Sequence, residues 1–142
     1  MKHLVCGLLF LFTAFNQIAY GGDAFAVMRL SSPLIASGSV GYRLGTPSPH
    51  NLRPPLQVEA GIGGGKLLMG IDNTGDASWG YGLKASLLRT WFEPIDVDRD
   101  QSFLGLHAEL SIQRLVASIG GYRRISDGDD NWLGSVGLGF LF

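Results

Sequence analysis

From Leu56 onward, apolar and polar or small residues alternate with a period of two, the mark of β-strands with one apolar face. Leu56, Val58, Ala60 and Ile62 alternate with Gln57, Glu59, Gly61 and Gly63. Leu67, Met69 and Ile71 continue against Lys66, Leu68 and Gly70, and Trp79, Tyr81, Leu83, Ala85 and Leu87 against Gly80, Gly82, Lys84 and Ser86. A fourth segment sets Leu104, Leu106, Ala108, Leu110 and Ile112 against Gly105, His107, Glu109, Ser111 and Gln113. The run 114–125 keeps a weaker rhythm at Leu115, Ala117 and Ile119, and 132–142 alternates cleanly up to Phe140 and Phe142. Upstream, Val40, Tyr42 and Leu44 mark another strand, and 25–32 offers one more. The expectation is seven or eight strands, with no sustained helical period.

Turn chemistry fills the gaps. The connections read as 45–55, with four prolines, then 72–77, 93–100 and 126–131, and nine of the twelve carboxylates fall in them. Asp72 is counted among those nine, and only Glu59 and Glu109 are assigned to mid-strand positions. Short strands at this spacing make a single all-β domain, a barrel or a sandwich.

The first residues follow a different rule. Lys2 and His3 precede an apolar stretch from Leu4 to Phe15, followed by small residues, which is the layout of a secretory signal peptide. Cleavage is expected after Gly21, so that 22–142 forms the barrel domain, with Ala26 as the alternative site. The single cysteine, Cys6, lies within this leader, so no disulfide or thiolate-bound metal is expected beyond it.

Period two alone does not say whether the apolar face meets a core or lipid. A soluble eight-stranded barrel fills its interior with large side chains, yet here the large residues share one face while the other is small, glycine-rich and sparsely charged. Trp79 and Trp91 share a parity twelve positions apart. At about 3.3 Å per residue and a tilt near 45°, they stand roughly 28 Å apart in height, close to the ~25 Å apolar band of membrane barrels. With Tyr81, Trp132, Phe140 and Phe142 they form candidate membrane girdles. The last strand ends Gly137-Leu-Gly-Phe-Leu-Phe142. In that ending, after a leader and alternating strands, the chain resembles the small bacterial outer-membrane β-barrel class. The resemblance implies a single antiparallel up-and-down transmembrane barrel of about eight strands in the bacterial outer membrane. It also implies outer-membrane lipid or lipopolysaccharide as a partner, and recognition of Phe142 by the barrel-assembly machinery. In that arrangement the tight turn at Gln113-Arg114 is periplasmic and the acidic loops face outward. The long 45–55 connection then falls on the periplasmic side and Gly63–Gly65 becomes an external tight turn, a distribution that sits poorly with the rest.

Composition narrows the reading further. Eleven basic residues against twelve acidic ones give a net charge of −1, without the basic excess of a nucleic-acid binder. Glycine, 21 of 142 residues, is about double ordinary usage. Much of it lies on the polar face, where missing side chains leave room for interior charges and for strand bending.

His107 and Glu109 share that face, opposite Lys84 and Ser86. They are the only catalytic candidates: a His held by a carboxylate can activate a hydroxyl. Lipid A deacylases, barrels of the resembled class, use a His and a Ser two residues apart, whereas Glu109 occupies that place here. The favoured reading is an interior polar network of Glu59, Lys84, His107 and Glu109, with a Lys84–Glu109 or Lys84–Glu59 pair. The stretch 96–100 fails the calcium-loop pattern at Gln101 and His107, Gly61–Lys66 reads as a hairpin rather than a phosphate loop, and His50 has no metal-ligand partner in sequence. Arg123-Arg124 marks a rim pair, solvated or facing lipid phosphate. No cofactor or metal is expected. The function expected is that of a structural or surface-interaction barrel, not a wide porin. The alternatives are a lipid-modifying barrel enzyme and a secreted soluble barrel binding an apolar ligand.

Overall fold

The computed structural model describes residues 24–45, 52–73, 78–92, 97–126 and 132–142. Residues 1–23 with the expected cleavage site after Gly21, and His50, Asp76, Glu93, Asp96 and the acidic stretch 127–130, lie outside them, whereas the alternative site after Ala26 falls within the first strand. Eight strands follow one another: β1 (Ala24–Ser31), β2 (Ile35–Arg43), β3 (Pro55–Gly61), β4 (Gly64–Asp72), β5 (Trp79–Thr90), β6 (Ser102–Ile112), β7 (Leu115–Arg124) and β8 (Trp132–Leu141). Each pairs antiparallel with its sequence neighbour, and β1 pairs with β8 from Val27↔Leu141 to Ser31↔Gly137, closing an all-β barrel. The seam ends on Phe142, whose N–H donates to the Ala26 carbonyl at 2.8 Å. Closure leaves no free sheet edge.

Segment 25–32 is therefore a strand, and so is the weak run 114–125. Their rhythm is blurred for physical reasons. In β1, Phe25, Ala26 and Val27 are all buried, because Ala26 lies under the closing seam while its neighbours point inward. In β7, Gly120 and Gly121 interrupt the apolar series.

Even strand number places both ends of the barrel strands at one rim, here called the terminal rim, together with the connections 44–54, 73–78 and the two-residue Gln113-Arg114 turn. Gln113 adopts φ +54° there. The far rim carries the turns at 32–34 and 62–63 and the connections 91–101 and 125–131. The uneven distribution of long and short connections is thus a property of the molecule, not of a misplaced strand. The β3–β4 turn is confined to Ile62-Gly63, since Gly64 and Gly65 already belong to β4. Arg53 exchanges backbone hydrogen bonds of 2.8 Å with Asp72, tying the long connection to the end of β4. Asp72 is the last residue of β4 and fully buried, which corrects its assignment to a loop. The following Asn73 and the turn residues after it mask that strand end in the sequence.

Period two sorts the two walls. All eight strands expose large apolar residues outward, among them Leu30, Val40, Val58, Met69, Leu83, Leu106, Ile119 and Leu138. The only charged residues at outward strand positions are Arg89 and Arg123, each one residue from the far-rim end of its strand. Inside, two apolar layers lie towards the rims: Phe25, Val27, Val116 and Leu141 at the terminal rim, and Leu34, Leu88, Phe103 and Tyr122, with Leu133 and Val97, at the far rim. Arg29, Glu59, Lys84 and Glu109 lie between them, Arg43 and Asp72 at the terminal-rim ends of β2 and β4, and Lys66 level with Leu88.

Inward glycines serve close approach. A Cβ on Gly105 would stand 2.1 Å from the Gly121 carbonyl and 2.7 Å from the Tyr122 ring. One on Gly41 would stand 2.3 Å from the Phe25 ring. The space that glycine leaves is filled by these two aromatic rings as well as by charged side chains.

Candidate functional site: the buried charge network

The interior chemistry is assembled from inward positions of β1 to β7. Arg29 of β1 reaches two carboxylates: Nη1 donates to Glu59 Oε2 at 3.0 Å, and Nη2 to Glu109 Oε1 at 2.5 Å. Lys84 of β5 donates to Glu109 Oε2 at 2.5 Å and to Gln57 Oε1 at 2.8 Å. Its Nζ also lies 3.1 Å from Asp72 Oδ2, in ion-pair contact though off the hydrogen-bond line. Arg43 completes the chain, Nε donating to Asp72 Oδ1 at 2.7 Å with its guanidinium 4.0 Å over the Phe25 ring. Ser37 donates to Glu59 Oε1 at 2.5 Å, and the Gln57 amide to Ser39 Oγ at 2.8 Å. Ions so buried persist only where paired and hydrogen-bonded, because desolvation costs several kcal/mol per ion.

His107 is fully buried beside this chain. Its Nε2 lies 3.2 Å from Glu109 Oε1 and its Nδ1 3.2 Å from the Tyr122 hydroxyl. Arg29 Nη1 also lies 3.4 Å from Nε2 but already donates to Glu59 at 3.0 Å. With the shorter Glu109 contact decisive, and a carboxylate only accepting, the Nε2–H tautomer satisfies Glu109 and leaves Nδ1 to accept from Tyr122. The hydroxyl at His107 thus belongs to a tyrosine of β7 that is itself part of the far-rim apolar layer. This geometry orients and fixes the imidazole inside the wall.

Glu59, Lys84, His107 and Glu109, grouped from sequence, are all brought into this cluster, with Lys84 on Glu109 and Arg29 on Glu59. Sequence reasoning missed Arg29, Asp72, Arg43 and Gln57 as members and Tyr122 as the partner of His107. Strand parity could have found Asp72, which continues the series Lys66, Leu68 and Gly70, and Gln57, which precedes Glu59 on the same face. Arg29 between Met28 and Leu30 carries the same signal in three residues.

The aromatic residues singled out from sequence occupy the outer wall near the two rims. Trp79 and Tyr81 stack at a centroid distance of 6.0 Å at the terminal rim, where Phe140 and Phe142 also meet at 5.3 Å. Trp91 and Trp132 stand at the far rim. Trp91 donates its indole N–H to the Ile62 carbonyl at 3.2 Å and lies across Gly65. All six are exposed. Asp98 and Asp100, at 82% and 68% side-chain exposure, stand in solvent at the same rim, in long contacts to Arg124 and Arg89. Among the described residues, no group of three or more His, Cys, Asp or Glu is arranged to hold a metal ion. Comparison with protein-family models, curated proteins and solved structures finds no match to this chain.

Proposed function

We propose that this chain is an integral protein of the bacterial outer membrane, an eight-stranded barrel whose role is structural or one of surface interaction through its far-rim loops. One observation carries the reading: the barrel is inverted relative to a soluble one. Its outer wall is aliphatic on every strand, uncharged between the rims and collared by aromatic residues at both ends, while its charges are inside. Monomeric soluble proteins rarely expose contiguous apolar patches beyond a few hundred Å², whereas a lipid-facing wall requires one. Backbone satisfaction points the same way, because only helices and closed barrels can cross a bilayer. No helix among the described residues is long and apolar enough to do so.

Filling of the lumen argues against a wide channel. The apolar layers at both rims and the ion pairs between them leave the interior to side chains, as expected for eight strands. Outer-membrane lipid is the natural partner of the wall, and Phe142, at the end of the closing seam, is available to assembly factors.

The deciding experiment is fractionation of cells expressing the full chain, followed by a carbonate wash and gel electrophoresis with and without boiling. The protein is expected in the washed membrane pellet, with a folded band that shifts on heating. Release into the carbonate supernatant overturns the proposal in favour of a secreted soluble barrel.

A further inference from the structure

Lys66 is the interior cation that the carboxylates do not reach. Its side chain points inward from β4, the residue is 2% exposed, and Nζ has no hydrogen-bond partner. Five of the six oxygens of the three interior carboxylates accept a hydrogen bond, and the sixth, Asp72 Oδ2, is in ion-pair contact with Lys84 alone. Glu59 holds Arg29 and Ser37, Glu109 holds Arg29, His107 and Lys84, and Asp72 holds Arg43 and Lys84. Among the described residues the buried charges are Arg29, Arg43, Arg53, Lys66 and Lys84 against Glu59, Asp72 and Glu109, an excess of positive charge. The nearest aromatic face, Tyr122, is 5.8 Å from Nζ, at the outer limit of a cation–π contact.

A second polar group lies on the neighbouring strand. Ser86 Oγ is buried beside Tyr122 and makes no hydrogen bond of ordinary geometry. Ser86, Gly105 and Tyr122 form one rung across β5, β6 and β7, and Lys66 pairs with Leu88, the next inward residue of β5. Leu88 and Phe103, towards the far rim, close this corner from bulk water. An ammonium buried there without an acceptor carries an uncompensated desolvation cost of several kcal/mol. A ligand that relieves it must be anionic, to cancel one charge. It must also be small, because the surroundings are side chains, and it must accept from both Nζ–H and Oγ–H.

We propose that Lys66 and Ser86 hold a monovalent, halide-sized anion inside the barrel, as a structural counter-ion to the Lys66 ammonium. A ligand that binds the folded state alone raises stability by mass action. The site depends on barrel closure and not on where the barrel resides, so its test is independent of fractionation.

The purified protein is refolded from urea into detergent micelles in sodium chloride, sodium bromide or sodium gluconate of equal ionic strength. The unfolding midpoint is then read from gel mobility. Chloride and bromide are expected to raise the midpoint above that in gluconate, increasingly with concentration. Lys66→Met is expected to abolish that response and Ser86→Ala to weaken it. Should Lys66→Met fail to fold, Ser86→Ala and an anomalous bromide peak in contact with Lys66 Nζ carry the test. Equal midpoints in the three salts, a halide response that survives Lys66→Met, or density for water alone beside Nζ each overturn the proposal.

Discussion

Along β6 the outward residues Leu104, Leu106, Ala108, Leu110 and Ile112 form an unbroken aliphatic ridge, whereas the inward residues between them are Gly105, His107, Glu109 and Ser111. The same strand thus presents two surfaces with opposite demands. The outer one carries no charge between the rims. The inner one concentrates charge, because closure brings β1, β2, β3, β4 and β5 within reach of it. The difference shows that an apolar strand face does not by itself mark the core. Its direction is told by which face carries groups able to satisfy one another, and by whether the large side chains share that face.

The strongest way to break this contrast is to unbalance the inner wall. Glu109 accepts from Arg29 and Lys84 and faces His107, so Glu109→Gln leaves two buried cations short of a counter-charge. Removing one partner of a buried ion pair costs about 3–5 kcal/mol. The expected outcome is a loss of that size in urea unfolding followed through the fluorescence of Trp79, Trp91 and Trp132. Adding Lys84→Met to Glu109→Gln is expected to recover part of the loss, since it removes one of the stranded cations. A single-variant loss below about 1 kcal/mol, within the range of surface pairs, would show that the network is solvated.

The converse change puts a charge on the outer wall. Leu106 lies mid-strand on β6 and is 60% exposed. In a bilayer, Leu106→Arg is expected to cost about 2–4 kcal/mol at the midplane, measured as the unfolding free energy in lipid vesicles. On a water-facing wall the same substitution stays within roughly ±0.5 kcal/mol. This variant therefore separates the two environments at one residue.

Strand parity made much of this contrast legible in the sequence. The outward set from Leu56 to Phe142 and the inward positions of Glu59, Lys84, His107 and Glu109 follow from alternation alone. Partner choice does not, because Arg29 and Glu109 are 80 residues apart and meet only through the stagger of a closed barrel. Arg29 was also hidden by its strand, whose first residues are apolar on both faces where Ala26 pairs with Phe142. Asp72 was hidden by composition, since an Asp before Asn73 reads as a turn until the register with β5, Asp72↔Gly82, extends β4 through it. Tyr122 was obscured because its strand keeps rhythm poorly through two consecutive glycines.

The finest test of the two walls uses glycine, the residue whose excess bears on both. Gly105 and Gly134 both lie in strands, one facing in and the other out. A Cβ at Gly105 would stand 2.1 Å from the Gly121 carbonyl and 2.7 Å from Tyr122 Cα, whereas one at Gly134 meets nothing within 4 Å. Neither has a positive φ, so the backbone itself accepts alanine at both positions. At Gly105 the methyl group must push β6 from β7 or displace the Tyr122 ring from His107, an overpacking cost of about 1–3 kcal/mol. At Gly134 it lowers the entropy of the unfolded chain at no steric cost, a gain of about 0.4–1 kcal/mol. Gly105→Ala is thus expected to lower the urea midpoint and Gly134→Ala to raise it. Equal shifts of one sign would mean that glycine acts through strand propensity alone, with no difference between the walls. Opposite shifts tie the inward glycines to the space taken by Tyr122, and through its hydroxyl to the orientation of His107.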